Sequence, residues 1–151
     1  MTPEAVARDY FAKSEVAQIA TLSKNGPRVN SVYFVVSDDM KMLYWMSEPR
    51  RRHSQAIADD PRVAGTIVVK ANQPVAGLQF TGTGSVLEDR SELETVINHY
   101  NAKYNDAAKG LYERIRVGTN KHVIYKFSIE SLELFDEGHF PGGDVVSVSL
   151  D

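Results

Sequence analysis

The sequence contains no cysteine. This absence excludes disulfide bonds, thiolate catalysis and zinc or iron–sulfur sites built on cysteine. An excess of positive charge is also missing, because the formal net charge is −3, and such a balance favours neither nucleic acid nor an anionic membrane as a partner. No stretch approaches the roughly 20 apolar residues that a membrane-spanning helix needs.

The chain starts without the basic residues and apolar run of a secretory signal peptide, so we expect a cytoplasmic protein. We also expect a single domain spanning residues 1–151, because no repeat, low-complexity segment or linker divides the sequence. The four histidines lack the spacing of a metal site, and we predict no metal. No nucleophile elbow is present, and the glycine-containing segments lie outside the strand-to-helix context of a phosphate-binding loop. The catalytic residues are therefore unknown from the sequence.

Alternating apolar residues and turn signals predict six strands and three or four helices. Apolar residues on both faces of the strands, including Tyr44 and Trp45 as core residues, indicate a closed barrel. The sequence thus predicts an α+β fold, a six-stranded, mainly antiparallel barrel with flanking helices. Thr2, Ser47 and Ser91 are the predicted helix caps, and a phase slip predicts a bulge near Glu130. The predicted strands are 16–23, 28–36, 42–46, 63–69, 77–87 and 123–134.

Three consecutive arginines and a histidine stand at a predicted helix start, in the segment from Ser47 to Ser54. Cations there oppose the positive end of the helix dipole, at a cost of roughly 0.3 to 1 kcal/mol each. Free amides, the dipole and guanidinium groups together would suit a phosphate group. A solvated basic turn with surface ion pairs fits the same residues, so the residues alone leave both interpretations open.

This segment and its surroundings resemble the pyridoxamine 5'-phosphate oxidase-like superfamily of FMN-binding split β-barrels. The likeness extends from the first helix to Phe135. It includes Met46-Ser47 at a strand end, Arg52-His53 at a helix start, and Asp60-Pro61-Arg62-Val63 before the next strand. A more specific resemblance is to a small uncharacterised bacterial subgroup. That resemblance rests on residues 52–55, 63–66, 77–82 and Tyr100-Asn101.

The resemblance implies an FMN cofactor at the interface of a homodimer. Relatives hold the FMN phosphate with a basic pair that matches Arg52 and His53. Lysine is common at the second position, so His53 weakens the site at neutral pH, and Arg50 and Arg51 could compensate. The implied cofactor-binding residues are Asn30, Ser31, Val32, Met46, Ser47, Arg51, Arg52, His53 and Gln79.

The resemblance further implies a flavin-dependent oxidoreductase or flavin reductase that acts on a small molecule, with the flavin supplying the redox chemistry. Oxidation of pyridoxamine phosphate itself is not expected, because residues 144–151 lack the basic side chains of that enzyme type. The alternatives are a non-catalytic flavin-binding module, a flavin-free dimeric scaffold, or a relative that binds a deazaflavin or haem.

The C-terminal residues admit two interpretations. In relatives this region of the partner subunit often closes over the flavin, which makes Phe135, His139 and Phe140 candidates for that role. A poorly ordered tail is the alternative, because residues 141–143 read Pro-Gly-Gly.

Overall fold

A computed structural model describes residues 1–105, 110–118 and 121–151. Within these residues the chain forms four helices and eight strands. The helices are α1 (Pro3–Lys13), α2 (Arg52–Asp59), α3 (Arg90–Lys103) and α4 (Leu111–Arg116). The strands are β1 (Val16–Ser23), β2 (Gly26–Tyr33), β3 (Val35–Val36), β4 (Met42–Ser47), β5 (Arg62–Lys70), β6 (Ala76–Val86), β7 (Val123–Asp136) and β8 (Val146–Ser147).

The strands form one sheet in the order β2-β1-β5-β6-β7-β4-β3, with β8 paired to β7. Every described pairing is antiparallel. The sheet curls, since β2 and β4 contact each other although four strands lie between them in this order. The predicted α+β class and its mainly antiparallel sheet with flanking helices are confirmed.

The predicted count of six strands is wrong, because the predicted second strand divides at Phe34 and the C-terminal segment adds β8. The amide of Phe34 donates to the Tyr104 hydroxyl at 3.2 Å, and that hydroxyl lies 2.5 Å from the Phe34 carbonyl oxygen. The backbone of Phe34 is thus hydrogen-bonded to the side chain of Tyr104, which follows the end of α3, and its amide also donates to the Glu15 carbonyl oxygen just before β1. As a result β2 pairs with β1 while β3 pairs with β4.

The main core fills the inside of the curled sheet and is closed by α1. Trp45 is fully buried there and stacks on Tyr125 with ring centroids 5.6 Å apart. A second core lies on the other side of β4, where Tyr44 packs against the apolar face of α3. Strand β4 is therefore buried on both faces, and the prediction that Tyr44 and Trp45 are core residues is confirmed.

Helix α3 begins one residue after Asp89, whose side chain accepts a hydrogen bond from the Glu92 amide at 2.8 Å. The predicted cap at Ser91 is therefore wrong. The capping spacing occurs twice in this segment, as Asp89-x-x-Glu92 and as Ser91-x-x-Glu94. Both residue types are favourable caps, so the local pattern does not distinguish them.

The bulge predicted near Glu130 is confirmed. Thr81 lies opposite Ser131 and Gly82 lies opposite Ile129, which leaves Glu130 without a partner across the ladder. The extra residue brings the two backbones together at Gly82, where a β-carbon would lie 1.8 Å from the Ser128 carbonyl oxygen. Glycine is thus required at this position by the close approach of β7.

The C-terminal segment packs against the rest of the chain, which contradicts the alternative of a poorly ordered tail. Strand β8 pairs with β7, and Val148 is only 6% exposed within the main core. The Ser149 amide donates to a carboxylate oxygen of Glu4 at 3.0 Å, which joins this segment to α1.

Among the described residues, no helix combines the length and apolar character needed to cross a bilayer.

Candidate functional site

The start of α2 and the neighbouring part of β2 enclose an open cavity of about 690 Å³, which we name the basic cavity. Three arginines and a histidine supply most of its polar lining. Within the part of the chain that the structure describes, no carboxylate-bearing residue lines it. Its lining residues are Asn25, Pro27, Arg28, Val29, Asn30, Arg51, Arg52 and His53.

The first turn of α2 has no side-chain cap. Arg51 occupies the N-cap position without a capping hydrogen bond, and the first turn holds no acidic residue. The predicted cap at Ser47 is wrong, because the helix begins at Arg52 and the Ser47 hydroxyl bonds to His53 instead. The amides at this helix start therefore remain available to an anion beside the arginines.

His53 is held in place by two buried serines. Its Nε2 lies 2.8 Å from the Ser47 hydroxyl oxygen, which accepts a hydrogen bond from the Ser54 hydroxyl at 3.3 Å. Burial, together with the nearby charge of Arg51, lowers the pKa of His53 below its ordinary value. His53 is accordingly a neutral hydrogen-bonding group at pH 7 when no anion is present.

Arg50 and Arg51, the predicted compensating charges, lie in different surroundings. Arg50 forms an ion pair with Glu48, which lowers the pKa of that carboxyl group. Arg50 does not line the basic cavity, whereas Arg51 and Arg52 do. Arg50 thus has the surface ion pair of the one interpretation, whereas Arg51 and Arg52 line the cavity that the other interpretation requires.

The side chains of β2 alternate between the two faces of the strand. Ser31 is exposed and its hydroxyl lies 3.4 Å from the Gln18 side-chain nitrogen, whereas Val32 packs against the main core. Asn30 shares the inward side with Val32 and reaches the basic cavity. Of the predicted β2 residues, Asn30 and Ser31 can therefore offer side chains to a ligand, and Val32 only its backbone.

Gln79 lies on the outer face of the sheet, in a second cavity of about 440 Å³ that we name the sheet-face cavity. Cross-strand pairing places Ser31, Gln18, Thr66, Gln79 and Glu133 in one row of polar residues. Three strand spacings, about 14 Å, separate Ser31 from Gln79 within this row. Val29 lines both cavities, so they adjoin.

Met46 faces a third cavity, which the sequence did not reveal. This aromatic pocket has a volume of about 420 Å³ and is lined by Glu15, Tyr33, Met46, Tyr100, Lys103, Tyr104 and Asn105. The Tyr100 hydroxyl lies 3.1 Å from the carbonyl oxygens of both Tyr33 and Tyr44, so it joins β2 to β4 beside the pocket. The spacing of Tyr100 and Tyr104 on one helix face was the available signal, but it does not reveal what α3 covers.

The predicted tail residues lie close together near the end of β7. Asp136 is 4% exposed and accepts hydrogen bonds from the Tyr10 hydroxyl and from the His139 backbone amide. Burial alone would raise the pKa of Asp136, but these bonds and His139 outweigh burial and hold it below its usual value. Phe140 packs on the core of its own chain, and Phe135 covers Gly77.

Most of the chain matches the model of a known protein family. This family model, described as pyridoxamine 5'-phosphate oxidase, matches residues 3–135. The chain belongs to the pyridoxamine 5'-phosphate oxidase family. The family resemblance expected from the sequence is confirmed, and the match ends one residue before β7 does.

Comparisons with individual proteins support the same fold. The chain is 31% identical over 140 residues to a UPF0306 protein of Pasteurella multocida, covering 91% of each chain. A conserved hypothetical protein from Mycobacterium tuberculosis superposes with a TM-score of 0.76 at 18% identity, covering 97% of this chain and 93% of that one. The haem storage protein HutZ from Vibrio cholerae superposes with a TM-score of 0.70 at 21% identity, covering 90% and 95%. The predicted split barrel is confirmed.

Proposed function

We propose that the chain binds FMN, with the phosphate in the basic cavity, and acts as a flavin-dependent oxidoreductase or flavin reductase on a small molecule. The observation that carries this proposal is the basic cavity itself. Arg28, Arg51 and Arg52 line it beside an uncapped helix start, and none of the described carboxylates lines it. A phosphate dianion would relieve the repulsion among these guanidinium groups and accept hydrogen bonds from the helix amides.

The residues next to the basic cavity suit the remainder of a flavin. Asn30 offers an amide within the cavity, and exposed Ser31 and Val29 offer a mixed polar and apolar surface along β2. Bound flavin would supply hydride transfer at its ring. The chain's own residues would hold the phosphate and orient the ring against β2. His53 would be neutral in the free protein and would take up a proton beside the bound phosphate.

We further propose a homodimer in which Gln79 of the partner subunit reaches the flavin. Gln79 lies about 14 Å from Ser31 within one chain, by three strand spacings. The ring would have to cross β1 and β5 to meet both residues of the same chain. The outer face also carries exposed apolar side chains, with Val29 at 65% and Val68 at 56% exposure, as a surface that pairs with another copy would.

A cytoplasmic location stays a prediction from the sequence.

The test compares FMN with riboflavin, which has the same ring but no phosphate. Both are titrated into the purified full-length chain, and binding is followed by the quenching of flavin fluorescence. We expect FMN to bind at least ~10-fold more tightly, in line with charge-assisted bonds to phosphate. Equal affinities would contradict the phosphate assignment, and no saturable binding of either compound would contradict a flavin function. Reduction of the bound flavin by a nicotinamide cofactor would then separate an enzyme from a binding module.

The affinity for FMN should rise as the pH falls from about 8 to about 6. In the free protein the pKa of His53 is below its ordinary value because of burial and Arg51. The positive groups that line the same cavity are Arg28, Arg51 and Arg52. A bound dianion raises the pKa of His53, so binding takes up a proton and is strengthened at the lower pH.

His53→Gln is the matched control for this pH dependence, since glutamine can bond to Ser47 but does not titrate. The phosphate of FMN itself gains a proton near pH 6, and it does so equally in both proteins. The ratio of wild-type to variant affinity therefore isolates His53. A ratio that stays constant across the range would contradict the coupling.

Haem is a second candidate, favoured by His139 and by the likeness to the Vibrio cholerae haem storage protein. Nδ1 of His139 lies 2.8 Å from the buried Asp136 carboxylate, and the side chain is 45% exposed. A carboxylate on one ring nitrogen orients the other toward a metal. Titration with haem decides the matter: an intense visible band that is lost in His139→Ala would favour haem over FMN.

A further inference from the structure

Lys103, in the last turn of α3, has surroundings that differ from those of an ordinary surface lysine. Its Nζ lies 4.0 Å from the centroid of the Phe34 ring and donates a hydrogen bond to the Phe11 carbonyl oxygen at 3.2 Å. No described carboxylate lies within ion-pair distance of this amine. A ring face and one neutral carbonyl replace only part of the hydration that an ammonium group has in water.

The chemical consequence is a more nucleophilic amine. Burial lowers the pKa of Lys103 to about 8, while Glu15 opposes this effect from a greater distance. About one amine in ten is then neutral at pH 7, whereas the neutral fraction of an ordinary lysine is roughly one in 2,500. A neutral amine has the free electron pair that attack on a carbonyl carbon requires.

The same lysine lines the aromatic pocket, which is concave and large enough for a small molecule. Three tyrosine rings, those of Tyr33, Tyr100 and Tyr104, form much of its wall. Burial raises the pKa of Tyr104 to about 12, so its hydroxyl keeps its proton. Aromatic walls favour a flat, aromatic guest, because such rings pack by stacking and by edge-to-face contact.

We propose that Lys103 captures planar aromatic aldehydes in the aromatic pocket as a reversible imine. The amine nitrogen attacks the carbonyl carbon, the carbonyl oxygen takes a proton, and the resulting carbinolamine loses water to form the carbon–nitrogen double bond. One aldehyde and one amine thus give one imine and one water, with no oxidant or reductant. This chemistry requires no flavin. Within the described residues the basic cavity and the aromatic pocket share no lining residue, although Met46, one of the implied flavin-binding residues, lines the aromatic pocket.

The test uses benzaldehyde as the probe and sodium cyanoborohydride to reduce any imine to a stable amine, which peptide mass spectrometry then locates. We expect the initial rate of labelling at Lys103 to exceed that at exposed Lys70 by at least ~10-fold at neutral pH. The N-terminal amine, on a residue that is 81% exposed, is labelled too and serves as the reference outside the pocket. Equal labelling of Lys103 and Lys70 would overturn the proposal.

Two comparisons separate capture in the pocket from high amine reactivity alone. Benzaldehyde should be preferred over propanal at Lys103, and this preference should be absent at Lys70. Tyr33→Ala removes one aromatic side chain from the wall of the pocket, at a residue that is 62% exposed. It should reduce labelling of Lys103 several-fold without changing labelling of Lys70 or the circular dichroism spectrum. Unchanged labelling of Lys103 in Tyr33→Ala, or no preference for benzaldehyde there, would overturn the pocket's role.

Discussion

Gly82→Ala is expected to destabilise the protein by about 3 kcal/mol or more, because the new methyl group has no space. A β-carbon at Gly82 would lie 1.8 Å from the Ser128 carbonyl oxygen and 2.9 Å from its carbonyl carbon. Both atoms belong to the backbone of β7, which is hydrogen-bonded to β6 on either side of the bulge. Relief therefore requires separation of two central strands instead of a change of rotamer.

Urea denaturation followed by circular dichroism measures this loss. Gly138→Ala is the matched control, since a β-carbon there would meet its nearest atoms at 3.5 Å, in ordinary contact. The control should stay within about 0.5 kcal/mol of the wild-type free energy of unfolding. A Gly82→Ala protein as stable as the control would mean that β6 and β7 are farther apart at the bulge than the 1.8 Å approach to the Ser128 carbonyl oxygen implies.

The double variant Arg51→Ala/Arg52→Ala is expected to bind FMN about 100-fold more weakly than the wild type does. Each guanidinium group contributes a charge-assisted hydrogen bond to phosphate, worth about 1.5 kcal/mol or roughly tenfold in affinity. Riboflavin lacks the phosphate, so its affinity should not change. Fluorescence titration of both compounds measures the two effects on the same protein.

Arg50→Ala is the control for the loss of a positive charge at the same helix start. Arg50 pairs with Glu48 and does not line the basic cavity. Its removal should change the FMN affinity by no more than about threefold at physiological salt, where exposed charges are largely screened. If the double variant and Arg50→Ala weaken FMN equally, the contribution comes from net charge and the phosphate does not lie in the basic cavity.

Most strands could be predicted from the sequence, because their burial follows alternation and their ends coincide with turns. Strand β1 has the predicted bounds, Val16–Ser23, and the bulge at Glu130 follows from a phase change visible within one segment. The break at Phe34 could not be predicted in this way. It depends on the Tyr104 hydroxyl, which is 70 positions away in the chain and reaches Phe34 only after α3 packs on β4.

The candidate site shows the same division between local and distant causes. The basic cavity lies between a helix start and the adjacent strand β2. Its predicted residues Arg51, Arg52 and His53 belong to an arginine-rich segment that is visible in the sequence itself. The aromatic pocket collects residues from β2, β4 and α3, each of which alone looks like a core or surface residue. The lowered pKa of Lys103 likewise arises from burial by elements that are distant in sequence. Such a pocket becomes visible only once the helix has been placed on the sheet.

The hydrogen bond between Ser149 and Glu4 also bears on how fast the chain folds. It joins positions 145 apart, and β8 pairs with β7 beside it. The neighbouring strands β1 and β5 are likewise far apart in sequence, since Gln18 pairs with Thr66. Contacts of this kind form only after large loops have closed, and closing them costs chain entropy before the contacts stabilise the fold. Such chains therefore fold in milliseconds to seconds, whereas helical bundles of similar size fold faster. During that time the hydrogen-bonding edges of incomplete strands are open to other chains, which makes dilute conditions the better choice for refolding.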